Sequence, residues 1–281
     1  MKILIADSGS TKTEWAAVVD GEMIRTLTTE GMNPYQNNLE LESFLKQIHP
    51  LLKDGEPSEV FFYGAGCKGD GAVRMKDFLQ QAIPNAKITI NSDMLGAARS
   101  VLGNLPGIAC ILGTGSNSCL FDGQEIVQNI SPLGYVLGDE GSGASLGKHL
   151  VNRVFKGELN YLKTELFNEY GVNEETILER VYRKPYPNRF LASLAPFLHQ
   201  YRNHPSVHDL IVDEFKNYFK RNIERYEKPE LHVSCVGSIA WWFKEELQEA
   251  ANAQHITIKT IVQKPLEGLV EYHTKKLGKE E

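Results

Sequence analysis

The stretch Ile3–Thr13 reads ILIADSGSTKT, and a second stretch, Ala109–Ser118, reads ACILGTGSNS. In each, a short apolar run leads into a turn of glycine and hydroxyl residues, and another apolar run follows. This pattern predicts two strands joined by a tight polar turn, which is a β-hairpin. Gly9–Ser10 aligns with Gly115–Ser116, 106 residues later. The recurrence predicts two related halves that each open with such a hairpin.

The composition is that of a globular protein of one or two domains. Of the 281 residues, 42% are hydrophobic and 23% are charged, which is enough for a sizeable core and unlike a disordered chain. The net charge of -6 argues against nucleic acid or an anionic membrane as a partner, because both need a positive field. The apolar runs are too short to span a bilayer, and no signal-peptide pattern is present. The four cysteines are not spaced like a zinc or redox site. We therefore expect a cytoplasmic protein.

The spacing of apolar residues predicts mixed strands and helices, and therefore an α/β fold. Helices are expected over residues 39–52, 70–81, 93–102 (with Ser92 as N-cap), 146–155, 159–170, 174–182, 190–199, 207–219, 239–251 and 266–276. Further strands are expected over residues 60–63, 87–91, 124–129, 231–236 and 255–261. The halves correspond to domains of residues 1–105 and 106–281. The second carries a helical insertion, and the last helix is a candidate for packing back on the first.

The first turn has the chemistry of a phosphate-binding loop. Glycine permits close backbone approach, and consecutive N–H groups, hydroxyls and a lysine can hold an oxyanion. Asp7, just before the turn, is placed to hold a Mg²⁺ ion through water. The spacing is not that of a P-loop, and the alternative interpretation is an ordinary polar hairpin tip with a capping aspartate. The candidate phosphate-binding residues are Gly9, Ser10, Thr11, Lys12 and Thr13.

Four further sites supply polar candidates. Asp93 follows a predicted strand, where open α/β sheets bind ligands; it either caps a helix or takes a proton from an attacking hydroxyl. The turn Gly113–Asn117 could meet phosphate through N–H groups or hold a substrate hydroxyl. Asp139, in the GDEGS segment, either caps the following helix or points into a cleft between the domains. Gly237–Ser238 lies at a strand-to-helix turn that suits the sugar or base of a nucleotide.

Taken in order, these motifs resemble those of the ATPase family that groups BadF, BadG, BcrA and BcrD, and within it the N-acetylglucosamine kinases. The shared pieces are DSGSTKT, an aspartate near position 93, GTGSN, LGDEGS and a late VGS, spread over residues 7–238. The resemblance implies two RNase H-like domains of the actin-like ATPase superfamily, with ATP and Mg²⁺ in an interdomain cleft. It also implies a homodimeric kinase that phosphorylates N-acetylglucosamine or a related N-acetylhexosamine.

The resemblance implies a role for each residue that matches the family motifs. Asp93 would be the catalytic base and would contact the sugar, and Asp7 would organise Mg²⁺. The residues expected to hold ATP are Gly9, Ser10, Thr11, Lys12, Thr13, Thr114, Gly115, Gly237 and Ser238. The residues expected to hold the amino sugar, besides Asp93, are Asn33, Ser116, Asn117 and Asp139.

Two other functions stay open at the level of sequence. The same family contains ATPase activators of 2-hydroxyacyl-CoA dehydratases, which need cysteines to ligate an iron–sulfur cluster. Cys67 and Cys110 do not lie in the glycine-rich settings that such activators use. A sugar- or nucleotide-binding regulator without catalysis is the second alternative, and the presence of both Asp7 and Asp93 argues against it. The sugar could be N-acetylglucosamine, N-acetylmuramic acid, glucosamine or another amino sugar, and the phosphorylated hydroxyl is also open.

Overall fold

The computed structural model describes residues 1–9, 11–35 and 40–277. The chain divides into two units, one of Met1–Leu105 with the chain from Lys264 onward, the other of Pro106–Gln263. Each unit is built on a mixed five-stranded sheet with helices packed against it, so the fold is α/β, as predicted. Within the described ranges, no helix combines the length and the apolar character that crossing a membrane requires.

In the first unit the strand order is β3-β2-β1-β4-β5. The first three strands form an antiparallel meander, while β4 and β5 run parallel to β1. The strands are β1 (Lys2–Ser8), β2 (Lys12–Val19), β3 (Glu22–Glu30), β4 (Glu59–Gly64) and β5 (Lys87–Ser92), and the helices are α1 (Leu41–Leu52), α2 (Asp70–Ala82) and α3 (Asp93–Leu102).

The apolar run that opens the sequence forms the central strand of this sheet. Its residues Ile3 to Ala6 are at most 1% exposed, because both faces of β1 are covered. Such a strand has a continuous apolar sequence rather than an alternating one. The predicted hairpin is confirmed: β1 pairs with β2 up to Ser8 opposite Thr13.

The second unit repeats this topology, with the order β10-β9-β6-β7-β8. Again three strands form a meander, and the last two run parallel to the first. The strands are β6 (Gly107–Leu112), β7 (Ser116–Phe121), β8 (Ile126–Gln128), β9 (Val233–Val236) and β10 (Ile258–Val262). The helices are α4 (Gly134–Leu137), α5 (Gly143–Lys156), α6 (Lys163–Tyr170), α7 (Glu174–Tyr182), α8 (Pro187–Ala192), α9 (Ala195–Tyr201), α10 (Pro205–Tyr218), α11 (Ser238–Trp242) and α12 (Lys244–Ala253). Short 3₁₀ turns lie at Asn160–Leu162 and Glu224–Tyr226, and a π-helical turn at Phe219–Ile223.

The last helix, α13 (Leu266–Leu277), belongs to the first unit. It packs against α3 and against the β1–β2 face of the sheet, where Leu269 is fully buried. The approach to α3 is close: a Cβ atom on Gly268 would lie 2.2 Å from the carbonyl oxygen of Ser100. The absence of a side chain at Gly268 therefore allows α13 and α3 to pack this closely.

Two predicted helices are each divided in the structure. The predicted helix over 190–199 is split between α8 and α9, because Pro196 occupies the first turn of a new helix, where its missing N–H costs nothing. The predicted helix over 239–251 is split between α11 and α12 at Phe243, whose φ of -110° and ψ of 33° leave the helical region. Of the predicted helix over 39–52, residue 39 lies outside the described residues and α1 begins at Leu41.

The alignment of the two hairpins also changes. The last strand pair before each turn is Ser8 with Thr13 in the first unit and Leu112 with Ser116 in the second. Counted from these pairs, Gly9 corresponds to Gly113 rather than to Gly115. The second turn is one residue shorter than the first. The alignment of the two Gly-Ser pairs did not take this difference in length into account.

Candidate active site

Two carboxylates lie at the carboxyl edge of the first sheet. Asp7 is near the end of β1, and Asp93 is the first residue of α3, directly after β5. Burial, followed by the charges of Asp93 and Glu14, raises the pKa of Asp7 to about 7. Burial also raises the pKa of Asp93. Two acids that resist ionisation together are a common feature of catalytic and cation-binding sites.

The capping of α3 is carried out by Ser92, as predicted. Its hydroxyl accepts a hydrogen bond from the N–H of Leu95 at 3.2 Å. The Asp93 carboxylate accepts one from the N–H of Met94 at 2.9 Å. The N-cap position therefore belongs to Ser92, and the Asp93 carboxylate accepts a further N–H of the first turn without being the cap.

The turn between β1 and β2 is closed by its own backbone and carries a cluster of charges. The N–H of Gly9 donates to the carbonyl of Lys12 at 3.0 Å. One carboxylate oxygen of Glu14 accepts from Lys12 at 2.9 Å and from Lys264 at 2.6 Å. Burial by itself would raise the pKa of Glu14, but the hydrogen bonds from the two lysines lower it below its usual value. Both ammonium groups are more than half exposed, so positive charge is available beside the turn.

The other predicted phosphate-binding residues of this turn differ in accessibility. Thr11 is exposed, whereas Thr13 is fully buried. The Thr13 hydroxyl donates to the carbonyl of Glu30 at 3.0 Å and bonds to the Ser8 hydroxyl at 2.7 Å. Its described contacts are thus inside the sheet. Ser10 lies outside the described residues.

Asn33 lies beside the loop that follows β4, the strand between β1 and β5. Its side chain is buried, and its Oδ1 accepts from the N–H of Tyr35 at 2.9 Å. A Cβ atom on Gly66 would lie 3.1 Å from that oxygen. Because β1, β4 and β5 are parallel, Asn33 is at the same sheet edge as Asp7 and Asp93.

In the second unit the structure brings the β6–β7 turn against Asp139. The N–H of Ser116 donates to the Asp139 carboxylate at 3.4 Å, and a Cβ atom on Gly115 would come within 3.0 Å of it. Asp139 is 8% exposed, has a φ of +54°, and has a pKa that burial raises. A buried carboxylate on a strained backbone is often a functional feature.

Asp139 does not cap α5, which was the alternative interpretation. The N-cap is Ser142, whose hydroxyl accepts from the N–H of Ser145 at 3.1 Å. The turn itself docks on the start of this helix: the carbonyls of Gly113 and Thr114 accept from the first helical N–H groups, at 2.8 and 3.1 Å. Thr114 and Gly115 are thereby fixed beside Asp139.

Asn117 and Gly237 complete the cluster in this unit. The Oδ1 atom of Asn117 accepts from the N–H of Ser118 and from Asn129, both at 2.9 Å. Gly237 has a φ of +126°, and a Cβ atom there would lie 2.2 Å from the carbonyl oxygen of Leu112. Only glycine fits this approach, which holds Gly237 against the end of β6. Ser238 follows it as the first residue of α11.

A groove of about 700 Å³ in the second unit lies elsewhere, between α5 and α7. Its walls are mostly apolar side chains such as Val151, Phe155 and Val181, and none of the predicted site residues lines it. The volume of this groove therefore does not identify the candidate site. The candidate site is identified by the carboxylates and the glycine-containing turns.

The donor set of the first unit suits Mg²⁺, which prefers oxygen ligands and retains several waters. A cation would relieve the repulsion between Asp7 and Asp93 that raises the pKa of Asp7. In the described part of the chain, no three His, Cys, Asp or Glu side chains are grouped to enclose a metal. This fits an ion held by one or two carboxylates, waters and substrate phosphates rather than by a protein cage.

Sequence reasoning missed four residues that organise these turns. Glu14 was assigned only to a strand, and Lys264 gives no local signal because it is 250 residues from its partner. Glu214 and Tyr218 on α10 contact the second-unit turns. A signal was present for Glu214: it falls at a buried position of a helix whose neighbouring buried residues are apolar.

Among solved structures, the chain is similar to a protein from Porphyromonas gingivalis that is provisionally named an N-acetylglucosamine kinase. It is 42% identical, the match covers 98% of this chain and 99% of that one, and the TM-score is 0.94. A protein from Chromobacterium violaceum, provisionally named in the same way, is 18% identical over 96% and 98% of the two chains, with a TM-score of 0.73.

A glucokinase of the ROK family from Streptomyces griseus, in complex with glucose and AMPPNP, is 12% identical over 96% and 98% of the chains, with a TM-score of 0.63. These last two likenesses are those of fold alone. No protein-family model matches the chain, and no curated protein matches it.

Proposed function

The chain belongs to the N-acetylglucosamine kinase family of actin-like ATPase sugar kinases, and from that premise we propose that it transfers the γ-phosphoryl group of ATP to an amino sugar. The acceptor is N-acetylglucosamine or a related N-acetylhexosamine, as the name of the 42% identical relative suggests. The observation that carries the chemistry is the pair formed by Asp93, placed at a helix start without serving as its cap, and Asp7 beside it.

Asp93 is the group that we assign to proton transfer. Its carboxylate accepts the proton of the sugar hydroxyl as the hydroxyl oxygen attacks the γ-phosphorus in line and ADP leaves. Burial raises the pKa of Asp93, which makes the ionised carboxylate a stronger base than an exposed aspartate.

The phosphates are assigned to the two hairpin turns. In the first unit these residues are Gly9, Ser10, Thr11, Lys12 and Thr13; in the second, Thr114 and Gly115. Backbone N–H groups of the turns and the Lys12 ammonium would stabilise the negative charge that spreads during transfer. Gly237 and Ser238 are assigned to the adenosine, because their turn lies against the end of β6.

Asp7, with Asp93 nearby, is assigned to Mg²⁺. The ion, when bound, would neutralise charge on the β- and γ-phosphates. Asp7 is the residue that would hold the ion through water, and the Glu14 carboxylate keeps Lys12 beside the turn.

The sugar is assigned to Asn33, Ser116, Asn117 and Asp139, together with Asp93. Asp139 is the strongest of these candidates, because its buried carboxylate lies against the Gly115–Ser116 backbone. A buried acceptor that hydrogen-bonds a substrate N–H or O–H rejects ligands that lack the donor.

The activator alternative has less support. None of the four cysteines forms a disulfide, and all are at most 3% exposed, so none is presented at a surface where a cluster could be shared with a second chain. Buried cysteines without disulfides and the use of ATP support the proposal that the protein works in the cytoplasm. We also propose a homodimer from the family resemblance, which light scattering on a sizing column would test.

Direct detection of the product tests the proposed function. Purified protein is incubated with Mg-ATP and N-acetylglucosamine, and the sugar is analysed by mass spectrometry. The expected result is a sugar monophosphate that forms with ATP and not with ADP. An unmodified sugar, across N-acetylglucosamine, N-acetylmuramic acid and glucosamine, would contradict the proposal.

A further inference from the structure

A row of buried polar residues runs along α10 into the π-helical turn that follows it. Glu214, Tyr218 and Asn222 are spaced four residues apart and are at most 5% exposed. Their neighbours on the buried face, such as Leu210 and Phe215, are apolar. Burying a carboxylate, a phenol and an amide costs free energy unless each is hydrogen-bonded, so the partners of this row show what it does.

Glu214 joins the GDEGS loop to the start of α5. One of its carboxylate oxygens accepts from the Ser145 hydroxyl at 2.7 Å and from the N–H of Gly141 at 3.4 Å. The other lies 3.1 Å from Nε2 of His149. Three polar groups from two adjacent segments therefore meet on one buried acid.

Tyr218 contacts the β6–β7 hairpin, and Asn222 contacts the GDEGS loop. The Tyr218 hydroxyl donates to the backbone carbonyl of Asn117 at 3.0 Å, and a Cβ atom on Gly141 would lie 2.9 Å from the Tyr218 side chain. The Asn222 amide lies 3.4 Å from the Glu140 carboxylate and donates to the carbonyl of Tyr218 at 3.2 Å. The row thus touches Glu140 and Gly141, which directly follow Asp139, and also the β6–β7 hairpin.

We infer that Glu214, Tyr218 and Asn222 are positioning residues for the sugar side of the active site. They fix the backbone at Asn117 and directly after Asp139, so that these two groups face the acceptor in one geometry. The inference rests on the proposed function, because it treats Asn117 and Asp139 as sugar ligands. It adds that the selectivity of this site depends on a helix that does not itself contact the sugar.

The test compares Glu214→Gln with Glu246→Gln. Glu246 is another buried glutamate of the same unit, 4% exposed and 3.7 Å from Arg202, and it has no contact with either turn among the described residues. Glu214→Gln replaces one of the two acceptor oxygens with an NH₂ group, so either the Ser145 and Gly141 donors or the His149 contact loses its acceptor, and the loop should shift. We expect the KM for the amino sugar to rise about tenfold, with the KM for Mg-ATP unchanged. Glu246→Gln should lower the melting temperature and leave both KM values unchanged.

Tyr218→Phe provides a second variant, should Glu214→Gln not fold. It keeps the ring and removes the hydroxyl, which donates to Asn117 and also contacts Cys110. A rise in sugar KM of about threefold to tenfold is expected. Unchanged sugar KM in the folded variants, or an equal rise in Glu246→Gln, would overturn the inference. Absence of sugar phosphorylation by the wild-type protein would instead contradict the proposed function, so the two failures are distinguishable.

Discussion

The two hairpins occupy the same place in two units of the same topology, yet they carry different chemistry. The strand pair next to the closing pair is Asp7 with Glu14 in the first unit and Ile111 with Asn117 in the second. Directly opposed residues of an antiparallel pair share a face of the sheet. The first hairpin therefore presents two acids together with Lys12, and the second presents an apolar residue and an amide.

The second unit obtains its charge from outside the hairpin. The chain between β8 and β9 contains α4 to α10, whereas a single helix, α1, lies between β3 and β4 in the described part of the first unit. This longer connection carries Asp139 and brings its carboxylate to the Gly115–Ser116 backbone. The same topology thus carries two kinds of turn. In the β1–β2 turn the charges come from the strands themselves, and in the β6–β7 turn the charge comes from Asp139 in the inserted segment.

If the first unit supplies the reacting carboxylate, Asp93→Asn has the largest expected effect. Loss of a general base should lower kcat by about 10²- to 10⁴-fold, with ATP binding retained because the turn is untouched. The control is Asp70→Asn, since Asp70 is the first residue of α2 as Asp93 is of α3, and it is exposed. Steady-state kinetics and nucleotide titration check both variants. Equal turnover in the Asp93→Asn and Asp70→Asn variants would contradict the assignment of the reacting carboxylate to Asp93 of the first unit.

Substitution of Gly237, in the β9–α11 turn, tests how much stability depends on its close approach to the end of β6, where the neutral turn begins. Gly237→Ala should reduce the free energy of unfolding by about 3 kcal/mol or more, because the new methyl group meets the Leu112 carbonyl on a strained backbone. Gly157 has a similar φ of +129° but open space around it, so Gly157→Ala should cost only about 1 kcal/mol. Chemical denaturation measures both. Similar losses would mean that strain, not the close approach, sets the requirement.

A smaller effect is expected for the carboxylate of the second unit. Asp139→Asn should raise the KM for the amino sugar about tenfold, with kcat and the KM for Mg-ATP little changed. Asp122→Asn, in the β7–β8 turn of the same unit, should behave as wild type. A large loss of kcat with unchanged sugar KM would show that Asp139 acts on the reaction itself, and the assignment of sugar binding to this unit would be wrong.

The elements that local pattern determines were predictable from the sequence. The buried run in β1, both hairpins and the Ser92 cap depend on residues within a few positions of one another, and all are confirmed. The edge strand β3 was not predicted, because Glu22–Glu30 is largely exposed and polar and forms only by pairing with β2. The break at Phe243 was also missed, since an apolar residue there continues the helical pattern.

The candidate site residues could be named from motifs, but their partners could not. Glu14 and Lys264 are 250 residues apart, and Glu214 meets Gly141 from 73 residues away. Local spacing contains no information on such pairs. What the sequence does contain is the position of Glu214 on an otherwise apolar helix face, which marks a buried acid that must find donors.

The most direct measurement of the central claim is ADP release from Mg-ATP by the purified protein, with and without sugar. The panel contains N-acetylglucosamine, N-acetylmuramic acid, glucosamine and glucose. We expect one N-acetylated amino sugar to raise the rate of ADP release far above the basal rate and above the rate with glucose. A rate of ADP release that no sugar increases would contradict the proposed kinase activity and favour an ATPase without a sugar acceptor.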